Sequence, residues 1–103
     1  MGEDIADLGG SLLAYLAWRE ATQGKDLRPS DGLRPEQRFF VGVAQASCSN
    51  ERDEDKRLLA IADPHSPPEY RVNGVMSNMP EFATAFSCKP GQPMVRAKAC
   101  KIW

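Results

Sequence analysis

A mainly α-helical fold is predicted by three features of the sequence. Between Glu3 and about Gln23, the apolar residues Ile5, Leu8, Leu12, Tyr15, Leu16 and Ala17 recur at three- and four-residue spacing, and Trp18 widens the stripe. A second apolar run, Phe39 to Gln45, follows Pro35-Glu36-Gln37, which suits the first turn of a helix. A third, Leu58 to Ala62, is closed by Pro64.

The first helix crosses Gly9-Gly10, where each glycine weakens helix propensity by roughly 1 kcal/mol relative to alanine. A tolerated glycine pair points to a close approach, by a packed helix or a metal site. Gly24 is a suitable stop. Residues 25–35 read as a loop, because two prolines and Asp31-Gly32 oppose regular structure. The run from Phe39 is apolar on most sides, which predicts a buried helix. A strand is the competing reading of so short a run, and Pro35-Glu36-Gln37 tips it to helix. Glu51 to Arg57 mixes both charges and reads as a solvated face leading into the short helix. Further on, Ser77 or Asn78 is expected to cap a helix that starts near Glu81-Phe82. Phe82 and Phe86, one helical turn apart, are expected in the core. Pro90-Gly91 marks a turn.

At 103 residues the chain is long enough for one modest domain, 1–103, and nothing marks a second. A net charge of -1 gives no footprint for nucleic acid or an anionic membrane. No apolar run approaches the roughly 20 residues of a bilayer span, and no signal peptide is visible.

Two stretches carry chemistry. Glu3 and Asp7 stand at i and i+4, on one helical face. Such a pair can serve a metal in two layers, one carboxylate binding the ion and the other orienting a second ligand. It can equally be a first-turn pair that favours the helix dipole. Asp63-Pro64-His65-Ser66-Pro67-Pro68-Glu69-Tyr70-Arg71-Val72-Asn73-Gly74 contains the chain's single histidine. Its prolines stiffen it, and it gathers an acid, a base and a cation within nine residues. A lone histidine of this kind is either a hydrogen-bonded structural residue or an acid/base group. The three cysteines, Cys48, Cys88 and Cys100, cannot all pair within the chain, and their spacing fits no zinc finger or ribbon. They are read either as ordinary thiols or as partners of cysteines elsewhere.

Glu3-Asp4-Ile5-Ala6-Asp7 resembles the E-N-x-A-D motif of the neprilysin family of zinc metallopeptidases. Asp63, His65, Ser66, Pro67, Arg71 and Gly74 match that family's D-x-H-S-P-x-x-x-R-x-x-G pattern. Phe39-Phe40 with Ala44-Gln45, Asn78 with Glu81-Phe82, and the ending Cys100-Lys101-Ile102-Trp103 extend the likeness along nearly the whole chain. The resemblance implies the helical C-terminal portion of a thermolysin-like catalytic domain, with Zn2+ as cofactor and peptides as substrates. It makes Glu3 the third zinc ligand and Asp7 the residue that orients a zinc-bound histidine. It makes His65 the donor to the oxyanion, Asp63 its orienting partner, and Arg71 the holder of the substrate backbone, paired with Asp7. At position 4 the family carries asparagine, which binds the substrate backbone; this chain places Asp4 there.

The same resemblance pairs Cys48, Cys88 and Cys100 with cysteines upstream, which implies an oxidising, extracellular or cell-surface location. It tucks Trp103 into the body of the domain, where the bland alternative is a loose tail. A catalytic zinc site needs three protein ligands, and this chain has one histidine and no H-E-x-x-H. The chain is therefore expected to be part of a longer peptidase, with Met1 the start of a fragment or gene model, and inactive alone. The alternative is a non-catalytic helical module that binds a peptide or partner chain.

Overall fold

The computed structural model describes residues 2–102. Five helices follow in order: α1 (Gly2–Thr22), α2 (Pro35–Ala46), α3 (Asp53–Ala62), α4 (Pro68–Met76) and α5 (Pro80–Ala85). The predicted helical class is what the chain adopts; among the described residues the one β-type contact is the bridge between Ser30 and Leu33.

Glu3 and Asp4 in the first turn of α1, and Arg19 in the last, complement its dipole. The helix runs unbroken through Gly9-Gly10 and stops before Gly24, whose φ of 76° is left-handed. Gly9 is buried, whereas Gly10 faces open space, so the expected close approach does not extend to the second glycine. Leu8 and Tyr15 are buried, and Leu12 and Trp18 pack beside them. Ile5 and Leu16, placed in the same stripe above, are 50% and 52% exposed. They lie on a neighbouring flank of the helix, which the other described elements leave uncovered.

The predicted loop carries a two-residue turn. Asp31 and Gly32 both have positive φ, 53° and 74°, and Ser30 and Leu33 exchange backbone hydrogen bonds of 3.0 and 2.9 Å across them. Pro35 opens α2, and the Gln37 side chain accepts the Arg34 N–H at 2.9 Å. The Arg34 guanidinium donates to the Ala85 carbonyl and so caps α5. Only Phe40 of α2 is fully buried. The helix packs on α4 and α5 along one side, which buries Phe40 with Phe39 and Val43 beside it, while Gly42 and Gln45 face outward.

Phe40 is 2% exposed and centres the core. Its ring lies 5.2 Å from Tyr15, 5.3 Å from Phe39 and 5.5 Å from Phe82. Phe82 and Phe86 stack at 4.7 Å against it, as expected of core residues. Val75, Met76, Met79 and Ala85 complete the buried set.

The charged run at 51–57 is less of a prelude than predicted. α3 starts inside it at Asp53, with Asp53, Glu54 and Asp55 in its first turn. No residue of α3 is buried, and Leu58 and Ile61 are 64% and 88% exposed. The helix near Glu81 is capped by Met79 without a side-chain bond, which corrects the expectation for Ser77 or Asn78. Both turn back to the preceding helix, donating to the Gly74 carbonyl at 3.1 and 2.7 Å. The Asn78 Oδ1 also accepts the Cys100 N–H at 2.9 Å, which pins the final segment. Gly91, with φ of 88°, makes the turn expected after Pro90. Trp103 lies outside the described residues.

Candidate active site

The prolines of the 63–74 stretch do two jobs. Pro67 and Pro68 stand at the N-cap and first position of α4, where a fixed φ and a missing N–H suit the helix. Arg71 therefore sits on a helix that packs against α1, an element the sequence did not predict there. The loop proper is 63–67, and it carries Asp63, His65 and Ser66.

Arg71 grips Asp7 with both arms of its fork. Nε donates to Oδ2 at 2.6 Å and Nη2 to Oδ1 at 2.9 Å. Nη2 also lies 3.8 Å from a Glu3 carboxylate oxygen. The bond from Asp7, and then the charges of Asp7, Glu3 and Asp4, hold the guanidinium above its ordinary value, against some desolvation. The Arg71 and Asp7 side chains are 29% and 32% exposed, so the pair is half-buried at the rim of the α1–α4 junction.

Asp63 holds His65 locally. Its Oδ1 accepts the His65 backbone N–H at 2.9 Å and lies 2.6 Å from Nδ1. Those bonds, the backbone one first, keep the Asp63 carboxyl below its usual range. With the Nδ1 proton directed at Asp63, a neutral imidazole has an acceptor at Nε2. Donation from Nε2 therefore uses the imidazolium, whose charge the Asp63 carboxylate offsets. Ser66 Oγ donates to Asp4 Oδ2 at 3.0 Å, and this bond, opposed by burial, lowers the Asp4 carboxyl.

Glu3, Asp4 and Asp7 on α1, Arg71 on α4, and Asp63, His65 and Ser66 in the loop thus belong to one edge of the molecule. A cleft of about 260 Å³ opens there between His65, Ser66, Arg71, Leu59, Lys56 and Glu51. Lys56 and Glu51 were not singled out in the sequence, where they fall in a mixed-charge run; the lateral position of α3 brings them to the cleft. A larger hollow of about 720 Å³ near Trp18, Arg19, Lys25 and Arg34 holds none of the candidate residues.

Among the described residues no group of three or more His, Cys, Asp or Glu side chains is placed to hold a metal. The donor set suits one zinc ligand from this chain. Glu3 is a carboxylate whose side chain is 53% exposed and makes only the long 3.8 Å approach to Arg71, while both oxygens of Asp7 are engaged by Arg71. The thiols of Cys48, Cys88 and Cys100 are unpaired, with Cys48 and Cys100 exposed. No helix among the described residues is long and apolar enough to cross a membrane.

A sequence profile of peptidase family M13 matches residues 1–102. Neprilysin-1 of Caenorhabditis elegans is 46% identical over 99% of this chain. Endothelin-converting enzyme 1 of Homo sapiens is 42% identical over the whole of it. A zinc metalloprotease of Mycobacterium tuberculosis, solved with an inhibitor, superimposes with a TM-score of 0.83 at 38% identity over 92% of this chain. The same enzyme in its open state gives 0.82 at 39% identity over 90%. The chain spans 14% of the length of each of these proteins.

Proposed function

The chain belongs to peptidase family M13, and from that membership we propose that residues 1–103 are the C-terminal segment of a zinc metalloendopeptidase catalytic domain. The observation that carries this reading is the single edge on which α1 carboxylates, Arg71 and the His65 loop are bonded together. A zinc metalloprotease is among the solved structures this chain resembles. The non-catalytic module gains no support from those likenesses.

Glu3 supplies one ligand of the metal, and the remaining ligands come from the upstream part of the same domain. Bound zinc contributes Lewis acidity and an activated water. Asp7 orients a ligand histidine while Arg71 braces it from the other side. Arg71 and the group at position 4 hold the peptide backbone beside the bond to be cut. His65, steadied by Asp63, donates a proton-bearing Nε2 toward the oxygen on which charge develops, a role worth several kcal/mol of barrier. Cleavage on the amino side of a hydrophobic residue fits the reading. So do an extracellular or cell-surface location and pairing of Cys48, Cys88 and Cys100 with upstream cysteines. Alone, the 103-residue chain, with one histidine and no H-E-x-x-H, is expected to be inactive.

Zinc content and cleavage of a peptide test the assignment, measured on the complete protein, on its Glu3→Val variant and on the 103-residue chain. The complete protein is expected to hold zinc and the variant to lose it. The short chain is expected to hold none tightly. Normal zinc in Glu3→Val overturns the ligand assignment. Chelator-sensitive cleavage by the short chain overturns the division of the site.

A further inference from the structure

The bonds that steady His65 from Asp63 are local: they join residues two apart and move with the loop. They set the ring's orientation within the loop but not where the loop stands. The neighbouring elements restrain it unequally. α4 packs on α1 at one end, whereas α3, at the other, buries no side chain and gives the loop no fixed base. The link from the loop to α1 is the bond from Ser66 Oγ to Asp4 Oδ2, 3.0 Å long, half-buried, and spanning 62 positions of the chain. Asp4 lies in the same helical turn as Glu3, and Ser66 directly follows His65. One hydrogen bond thus references the imidazole to the turn that carries the metal-ligand carboxylate.

We propose that Asp4 and Ser66 form a strut that sets the position of His65 relative to Glu3, making Asp4 a positioning residue for the oxyanion donor. The proposal rests on the peptidase reading above. It separates two roles for Asp4, because a contact to substrate needs no Ser66 and a strut needs both partners. It also predicts which replacements are tolerated. The Oδ1 of an asparagine at position 4 accepts the same hydroxyl, and threonine at position 66 donates as serine does.

Asp4→Ala, Ser66→Ala, the double variant, Asp4→Asn and Ser66→Thr are compared in the complete peptidase. Each alanine variant is expected to lower kcat about ten- to hundredfold, the scale of a misplaced catalytic group; KM stays near parental in Ser66→Ala and rises in Asp4→Ala, where a substrate contact is lost as well. The double variant is expected to be no worse than either single one. Ser66→Thr is expected to stay near the parent, and Asp4→Asn is expected to keep the bond from Ser66. A parental kcat in Ser66→Ala, a rise confined to KM in Asp4→Ala, or additive losses overturn the strut.

A second readout does not depend on activity. In the isotopically labelled 103-residue chain, Ser66→Ala is expected to shift and broaden the His65 ring and amide resonances, and Ser66→Thr to leave them in place. Unaltered His65 signals in Ser66→Ala overturn the strut. An inactive complete protein whose His65 signals still respond to Ser66→Ala overturns the peptidase reading instead.

Discussion

Truncating Phe40 to alanine tests the packing that brings α1 to α4. The ring is 2% exposed and touches aromatic neighbours from three helices, Tyr15, Phe39, Phe82 and Phe86. Removing a buried phenylalanine ring costs roughly 3–5 kcal/mol, from lost transfer energy plus the cavity left behind. The surrounding rings hold one another in tilted and edge-on contacts, so the site cannot collapse easily and the upper half of that range applies. A domain of this length has roughly 5–15 kcal/mol of stability to lose. Among the described residues seven hydrophobic side chains are buried, which places this one at the lower end. Phe40→Ala is therefore expected to remove about 4 kcal/mol and leave a substantial unfolded population at 37 °C. The assay is urea unfolding followed by circular dichroism at 222 nm, with Leu13→Ala, at a site 56% exposed, as the control expected to lose much less. A loss below about 1.5 kcal/mol, or one equal to that of the control, would show that the aromatic cluster is not the core and refute the reasoning.

Three further outcomes follow from the site. His65→Ala in the complete peptidase should lower kcat by about 10²–10³, with KM less affected, and steady-state kinetics showing an unchanged kcat would remove it from the oxyanion role. Arg71→Ala should weaken inhibitor binding by roughly tenfold or more, with Arg71→Lys recovering little because one ammonium cannot span both Asp7 oxygens; titration calorimetry giving parental affinity in either variant counts against the fork. The carboxyls of Asp4 and Asp63 lie below their ordinary value in the folded chain, Asp4 through Ser66 and Asp63 through the His65 backbone. Their contribution to stability is fully present above the ordinary carboxylate value and is lost as pH falls through the lowered ones. The side-chain carboxyl carbon resonances of Asp4 and Asp63 should therefore titrate below the ordinary carboxylate value, and titration at or above it would contradict both bonds.

What could be read in advance was the chemistry more than the packing. Glu3, Asp7 and Arg71 were placed by motif, and the structure brings them within bonding reach. The helix under Arg71 was hidden because Pro67 and Pro68 look like breakers, although a proline at a first helical position is a start signal. The cap of α5 was misplaced for a related reason. Ser77 and Asn78 have good capping side chains, but both are spent on the Gly74 carbonyl, and Pro80 needs no N–H partner. The outward faces of α1 and α2 were not legible at all. Hydrophobic periodicity says which residues avoid water; it does not say whether the surface that covers them belongs to the same stretch of chain. Lys56 and Glu51 were missed because a mixed-charge run carries no sign of the cleft it borders.

α3 has ten residues, none of them buried. An isolated helix shorter than about 12–15 residues is marginal in water, and with Leu58 and Ile61 64% and 88% exposed, α3 draws little packing support from residues 2–102. In a cell, chaperones and proteases would meet this apolar face, which is the kind of feature by which proteins are sorted for rescue or destruction. Polar substitutions at Leu58 or Ile61 would then be felt first as a change in how much of the protein survives.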